Sequence, residues 1–297
     1  MKLVLCRPQG GFNDMLVQIE KCCRYAEREN RIVVVDTAYK HTNAFYDAFS
    51  NYFTSRHDNL ILDINNYSLS EVERPEIYPS FLQGRIDSYK TRWAPEVRNH
   101  IDIETNSLTT FDMSKSYPQK VLVHHQSGGG ELSFHTLSRI ALQKSLVMEL
   151  TRRVLSIGGP YIAVHIRNTD YRTKYDRFLE QISSINFRKI FVATDNSSVV
   201  KDFKVHLGDS RVLSFSDLSS RPGIPLHRNQ TFGPLIQRRN RDTILDLFTL
   251  ALANKLYILP IEKQPLRYSG YSLLANNLWK NKSVLKTLLP EFHSLGL

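Results

Sequence analysis

The sequence predicts an α/β protein built as two parallel-sheet halves, and three observations carry that prediction. Short β-branched apolar runs alternate with stretches of helical spacing, the pattern that crosses strands over with helices into a parallel sheet. The alternation occurs twice, from residue 2 and again from about residue 140, with an irregular middle between. A chain of 297 residues also lies between one large domain and two of ordinary size.

Taken in order, "KLVLC" (2–6) reads as a first strand and residues 13–30 as a helix with Met15, Ile19, Cys22, Cys23 and Ala26 at helical spacing. "RIVVVD" (31–36) is a second strand, and its unbroken apolar run suits a sheet covered on both faces. Residues 64–118, rich in Tyr, Pro, Asn and Ser, predict loops with short helices. "KVLVHH" (120–125) returns as a strand and runs into "QSGGG".

Residues 138–159 then form the longest helical pattern. Leu142, Leu146, Val147, Leu150 and Val154 share a face, and Gly158 is a C-terminal stop. After it, strands at 161–166, 189–193, 211–215 and 255–259 alternate with helices near 176–184, 197–207, 242–253 and 272–279. The reading is two Rossmann-like domains, 1–140 and 141–297. In such sheets ligands bind beyond the carboxyl ends of the strands, so candidate residues are sought there.

Composition narrows the function classes. At 41% hydrophobic and 23% charged residues the chain is that of an ordinary folded protein. A net charge of +10, from 39 basic and 29 acidic residues, implies an anionic partner: nucleic acid, a phosphorylated small molecule or an acidic membrane face. The Lys and Arg residues are scattered and no nucleic-acid-binding motif is present, so a basic nucleic-acid-binding protein is the weaker class. Cys6, Cys22 and Cys23 are odd in number and two are adjacent, which argues against a disulfide framework and for a reducing compartment. No run has the length of a membrane span, and the start reads as a strand and not a signal peptide. The expectation is a cytoplasmic protein, with room for peripheral contact with an inner membrane face. The sequon at Asn229 therefore carries no weight.

Five stretches could carry chemistry. In "HIRNTD", Arg167 leaves a strand end where a guanidinium fork can grip a phosphate, with His165 on the same side of the sheet and Asp170 able to orient the arginine. A satisfied core histidine beside a small-value surface ion pair explains the same residues equally well. "VATDNSS" ends a strand in a helix-capping sequence, and Asp195 and Asn196 there could meet a base or ribose. Asp246 falls inside the apolar run of "TILDLFTLAL" and needs a partner if buried. In "YSGYSLL", Ser269, Gly270 and Tyr271 could turn backbone N–H groups toward a phosphate, or simply cap a helix.

"RPQGGFNDML" places Gly10 and Gly11 after the first strand, so that backbone can approach a ligand closely. The spacing departs from the dinucleotide fingerprint, although Asp36 ends the second strand. Asp14 is either a general base or a first-turn carboxylate that favours the helix N-terminus, and taken alone the second has the edge. Last, His124, His125 and His135 lack companion ligands at metal spacing, so a flexible Gly loop is preferred there to a metal site.

In this order the stretches resemble the fucosyltransferase superfamily of GT-B enzymes, which includes the α1,6-, α1,2- and protein O-fucosyltransferases. "GGFND" resembles its Gly-Gly…Asn loop, "HIRNTDY" its H-x-R-x-x-D donor motif and "VATDNSSVVKDF" its strand–Asp–helix segment. "TILDLFTLALANKLYI" with "YSGYSLLA" resembles its final motif. The likeness is good in order and spacing over about 160–278 and rests on the Gly loop in the first half.

The resemblance implies a GT-B fold, two Rossmann-like domains facing each other across a cleft, with acceptor-side residues 1–140 and donor-binding residues 141–297. It implies an inverting transfer of fucose from GDP-fucose to a glycan acceptor, with no cofactor and no metal, in synthesis of surface polysaccharide or lipid-linked oligosaccharide. Arg167 would hold the donor β-phosphate. His165 and Asp195 would contact the guanosine, with Asp246 and Ser269 nearby and Asn13 lining the cleft. The α1,6 members carry a second Arg directly after the first, where this chain has Asn168. Arg172, Lys174 or Arg238 would then compensate, or the donor is another activated sugar, such as another nucleotide sugar or phosphoribosyl diphosphate.

Overall fold

The computed structural model of the chain describes residues 2–39, 45–66, 76–218, 234–262 and 267–289. It divides into two compact units, with the division between Gln143 and Lys144. The N-terminal unit contains β1 (Leu3–Cys6), α1 (Phe12–Arg28), β2 (Ile32–Val35), β3 (Phe53–Ser55), β4 (Leu60–Ile61) and β5 (Ile77–Tyr78). It continues with β6 (Thr91–Ala94), β7 (Asn99–Asp102), β8 (Val121–His124), α2 (Ser133–Ser138) and β9 (Ile140–Leu142). The C-terminal unit contains α3 (Lys144–Ile157), β10 (Ile162–Ile166), α4 (Asp176–Ser183), β11 (Ile190–Thr194), α5 (Ser197–Leu207) and β12 (Val212–Leu213). It ends with α6 (Pro234–Leu252), β13 (Lys255–Ile258), α7 (Gly270–Lys280) and α8 (Lys282–Leu288).

Each unit is built on one parallel sheet. The first has the order β4-β2-β1-β8-β5, with Leu3–Cys6 paired on one side to Ile32–Val35 and on the other to Val121–His124. Its strands are apolar without alternation because both faces are covered: Val33, Val34 and Leu122 are all essentially inaccessible. One face packs Leu5, Val34 and Val123 against Leu82, Ile86 and Tyr89. The order reverses between β1 and β8, which makes their carboxyl ends the topological switch point where ligands enter such sheets.

The second sheet has the order β12-β11-β10-β13, all parallel, and its switch point lies between β10 and β13. Side chains of β10 alternate. Ile162, Val164 and Ile166 pack with Phe178 and Ile182 of α4 and Val199 and Phe203 of α5. His165 therefore points to the other face, where it meets α7. Among the described residues, no helix is long and apolar enough to cross a membrane.

The structure corrects several sequence expectations. The single helix over 138–159 is α2, then β9, then α3. Residues 140–142 leave the helix because Ile140 and Leu142, both buried, pair antiparallel with Phe53–Ser55. Arg139 is anchored there by ion pairs to Glu20 and Glu27. The middle does hold loops and short helices, at Ile64–Asn66 and Ser80–Leu82, but it also contributes β5 to the parallel sheet and the antiparallel hairpin β6–β7. The strand foreseen at 211–215 is only Val212–Leu213, whereas α6 covers Pro234–Leu252 and so includes residues ahead of the expected 242–253. Asn229 lies outside the described residues.

Candidate functional site

The carboxyl end of β10 is clamped by the carboxyl end of β11. Asp195 accepts the backbone N–H of Asn168 at 2.7 Å through Oδ1 and the hydroxyl of Thr169 at 2.5 Å through Oδ2. The same Oδ2 lies 3.2 Å from Arg167 Nε. Asn196, the N-cap of α5, accepts the Ser198 N–H through its side-chain oxygen and donates its amide N–H to the Asn168 carbonyl at 2.9 Å. Both backbone groups of Asn168 are thus taken by one neighbouring strand end. The guanidinium of Arg167 is held by Asp170 through Nε at 2.9 Å and Nη2 at 2.7 Å. Two carboxylates thereby fix a cation that is itself only one-fifth exposed.

A second cluster lies where α7 starts. His165 Nδ1 is 2.6 Å from Ser272 Oγ, and its ring packs on Tyr271 at 4.9 Å between centroids. Ser269 caps α7 by accepting the Ser272 N–H, so Ser269, Ser272 and His165 form one chain of hydroxyls and imidazole. Burial, and then the nearby Arg167 guanidinium, hold the His165 imidazole down at about 3. The ring is therefore neutral at physiological pH and can orient ligand groups without adding charge.

Asp246 does find the partner its burial requires. It accepts from Arg153 Nη1 at 3.1 Å and from the Ser216 hydroxyl at 2.6 Å. Arg153 continues to Asp242 at 2.6 Å and Glu149 at 3.4 Å. Burial pushes the Asp246 carboxyl up to about 7, against the pull of Ser216 and Arg153. Tyr271 belongs to the same cluster: its hydroxyl donates to the Thr243 carbonyl, and burial, then the nearby Asp246 charge, push its phenol up.

Arg153, Ser216, Thr169 and Ser272 were missed by sequence reasoning. Only Arg153 carried a signal: it stands three and seven residues after Leu150 and Leu146, on the apolar face of α3, where an unpaired charge is untenable. Of the residues considered as replacements for a second arginine, Lys174 pairs with Glu262 at 3.1 Å and Arg238 with Asp217 at 3.3 Å, both at the surface. Arg172 is exposed.

In the N-terminal unit the switch point is lined by two glycine loops. Pairing continues past the strands, with the Arg7 N–H donating to the His124 carbonyl and the Gln9 N–H to the Gln126 carbonyl, each at 2.8 Å. Gly10 has φ of +99° and lies so close to the half-buried Asp14 that a Cβ would sit 2.9 Å from its Oδ2. Only glycine satisfies both conditions. Gly11 is the N-cap of α1, and Asn13 accepts the Ser133 hydroxyl at 2.7 Å. Asp36 takes Arg7 Nε at 2.8 Å, both side chains buried, and the Arg7 guanidinium lies 3.6 Å over the Tyr39 ring. The carboxylate that ends β2 is thus committed to Arg7.

The histidines of "VHHQSGGG" hold structure together. His124 bridges Thr110 Oγ1 at 2.6 Å and Gln18 Oε1 at 2.9 Å, while His125 bridges the Tyr89 hydroxyl and the Gln9 amide. Among the described residues, no group of three His, Cys, Asp or Glu side chains is placed to hold a metal ion. Cys6, Cys22 and Cys23 are buried free thiols.

No family model matches the chain, and no curated protein matches it in sequence. Solved structures do. The fucosyltransferase NodZ from Bradyrhizobium superposes with a TM-score of 0.59 at 16% identity, over 93% of each chain. NodZ α1,6-fucosyltransferase co-crystallized with GDP gives 0.57 at 16% identity, over 93% of this chain and 92% of that one. POFUT1 in complex with GDP gives 0.57 at 11% identity, over 94% of this chain and 95% of that one. The chain thus has the GT-B fold of these fucosyltransferases, along nearly its whole length.

Proposed function

We propose that the chain is a glycosyltransferase that transfers fucose from GDP-fucose to a hydroxyl of a glycan acceptor, with inversion and without a metal ion. The observation that carries the reading is Arg167: a guanidinium fixed by Asp170 and Asp195 at the switch point of the C-terminal sheet. It does so in a fold shared with fucosyltransferases solved with GDP. A strand-end guanidinium locked by two carboxylates is preorganised for a diphosphate, and it acts where charge grows as the donor's C1–O bond breaks. His165, Ser269, Gly270 and Tyr271 contribute the neutral wall of the donor site, and Asp246 ties α6 to α3 through Arg153 and to Ser216 beside it. Asp195 and Asn196 act through the 167–169 turn they clamp.

On the N-terminal unit we assign Asp14 as the base. The acceptor hydroxyl gives its proton to this carboxylate, its oxygen bonds to C1 of the sugar, and GDP leaves with the electron pair of the broken bond. Gly10, Gly11 and Asn13 shape the surroundings of Asp14.

Surface polysaccharide or lipid-linked oligosaccharide is the acceptor class we favour, and the net charge of +10 suits work beside an acidic membrane face in the cytoplasm. One observation favours a second donor: Asn168 stands where α1,6 enzymes carry a second Arg. A different nucleotide sugar or phosphoribosyl diphosphate would then be used by the same fold.

The test is incubation with GDP-fucose, other nucleotide sugars and phosphoribosyl diphosphate, with mass spectrometry of the products. Consumption of GDP-fucose alone supports the first reading. Consumption of another donor alone supports the second, and inertness toward all of them contradicts both.

A further inference from the structure

The loop Gly128–Gly130 is fastened to α1 by side-chain hydrogen bonds. Gln18 donates its amide N–H to the Gly128 carbonyl at 2.6 Å, which turns its Oε1 toward His124 Nε2 at 2.9 Å. An amide oxygen can only accept, so Nε2 of His124 carries the proton and Nδ1 accepts from Thr110. Burial holds this imidazole down at about 3, so the neutral donor persists at physiological pH. Asn13 reaches the Gly130 carbonyl at 3.5 Å, and beyond the loop Thr136 of α2 donates to the Leu16 carbonyl at 2.7 Å, which ties the following helix to α1.

The fastening presses Gly129 onto the carboxylate. A Cβ at this position would lie 2.6 Å from Asp14 Oδ1 and 3.6 Å from Asn13 Nδ2. Gly128 and Gly130 have φ of +120° and +148° and need glycine for conformational reasons, but Gly129 has no positive φ. Its lack of a side chain answers to Asp14 alone. With Gly10 against Oδ2, the carboxylate is held between the backbones that follow β1 and β8.

We propose that Gly129 is a positioning residue for Asp14, held in register by His124 acting through Gln18. The loop backbone forms a wall that sets where the carboxylate meets the acceptor hydroxyl. The proposal rests on the reading of Asp14 as the base.

The test uses the full chain and GDP-fucose, with water as the acceptor and GDP release as the readout. Gly129→Ala must displace the carboxylate or the loop, and a misplacement of about 1 Å can cost on the order of a hundredfold in turnover. The expected result is a kcat lowered roughly 30- to 100-fold with the donor KM within about twofold. Gln18→Met, which releases the loop without a clash, lowers kcat in the same direction. Combining Gly129→Ala with Asp14→Asn adds nothing to Asp14→Asn alone, because one acts through the other. Retained GDP binding and melting temperature show that each variant folds.

An inactive Asp14→Asn beside a fully active Gly129→Ala overturns the proposal and leaves the base assignment standing. So does full additivity in the double variant. Near-normal turnover by Asp14→Asn removes the base assignment and the proposal with it. Absence of GDP release from the parent chain counts against the transferase reading, on which both depend.

Discussion

Replacing Asp195 by Asn separates a residue that touches the donor from one that places Arg167. Asn keeps the shape but has one oxygen and no charge, so it cannot accept from both donors that now reach the carboxylate, Asn168 N–H and Thr169 Oγ–H, nor keep the ion pair with Arg167. Its own NH2 must face one of them. A buried donor left without an acceptor costs about 1–3 kcal/mol, and a hydrogen bond to a charged group contributes about 1.5–3 kcal/mol. A combined loss of about 2–3 kcal/mol on the placement of the 167–169 turn corresponds to roughly 30- to 150-fold, at about 1.4 kcal/mol per tenfold.

Isothermal titration with GDP and with guanosine distinguishes the two roles. If Asp195 places the arginine, GDP binding weakens by that factor while guanosine binding stays within about twofold. If Asp195 reads the base or ribose directly, both ligands weaken together. That second result, or an unchanged affinity for GDP, would refute the placing role.

The remaining predictions concern pH and charge. In the N-terminal unit, burial holds the imidazoles of His100 and His124 down at about 4 and about 3, against about 6.5 in an unfolded chain. Below pH 6.5 the unfolded unit takes up two protons that the native unit refuses. Its stability should therefore fall by about 2 kcal/mol per pH unit on average between about pH 6.5 and 4. In the C-terminal unit His165 behaves the same way, but Asp246 keeps at about 7 a proton the unfolded chain releases near 4, and the two slopes oppose. Hydrogen exchange at pH 7.0 and 5.5 should therefore show the N-terminal unit losing protection more steeply, and equal loss in both units would contradict this. Asn168→Arg should tighten GDP binding about five- to tenfold and steepen its salt dependence, because the clamped backbone leaves only the side chain changed. An unaltered affinity and salt slope would show that position 168 does not face the diphosphate.

Some of this was legible in the residues and some was not, for reasons specific to each place. The strands at 2–6, 161–166 and 189–193 announce themselves because both sheet faces are covered, so nearly every position is apolar. The turn after β10 was legible as a charged strand end, yet Asp195 could not be tied to it because Asp195 lies 28 residues from Arg167 and is brought beside it by the parallel pairing of β10 with β11. Residues 138–143 misled because Leu142 fits the helical stripe of α3, while the decisive partner, Phe53–Ser55, is about ninety residues away. Two-residue strands such as Ile77–Tyr78 are too short to show a period, and only their neighbour β8 makes them strands. The wall formed by Gly129 was illegible for a different reason: a glycine beside two others says nothing about which of them meets a carboxylate.

In the proposed function Arg167 grips the diphosphate of a GDP-linked sugar. Titration of GDP into the parent chain and into Arg167→Ala tests it most directly, with guanosine as the control. GDP affinity should fall roughly a hundredfold in Arg167→Ala, with guanosine binding and the melting temperature retained. GDP affinity that is the same in both proteins would contradict it.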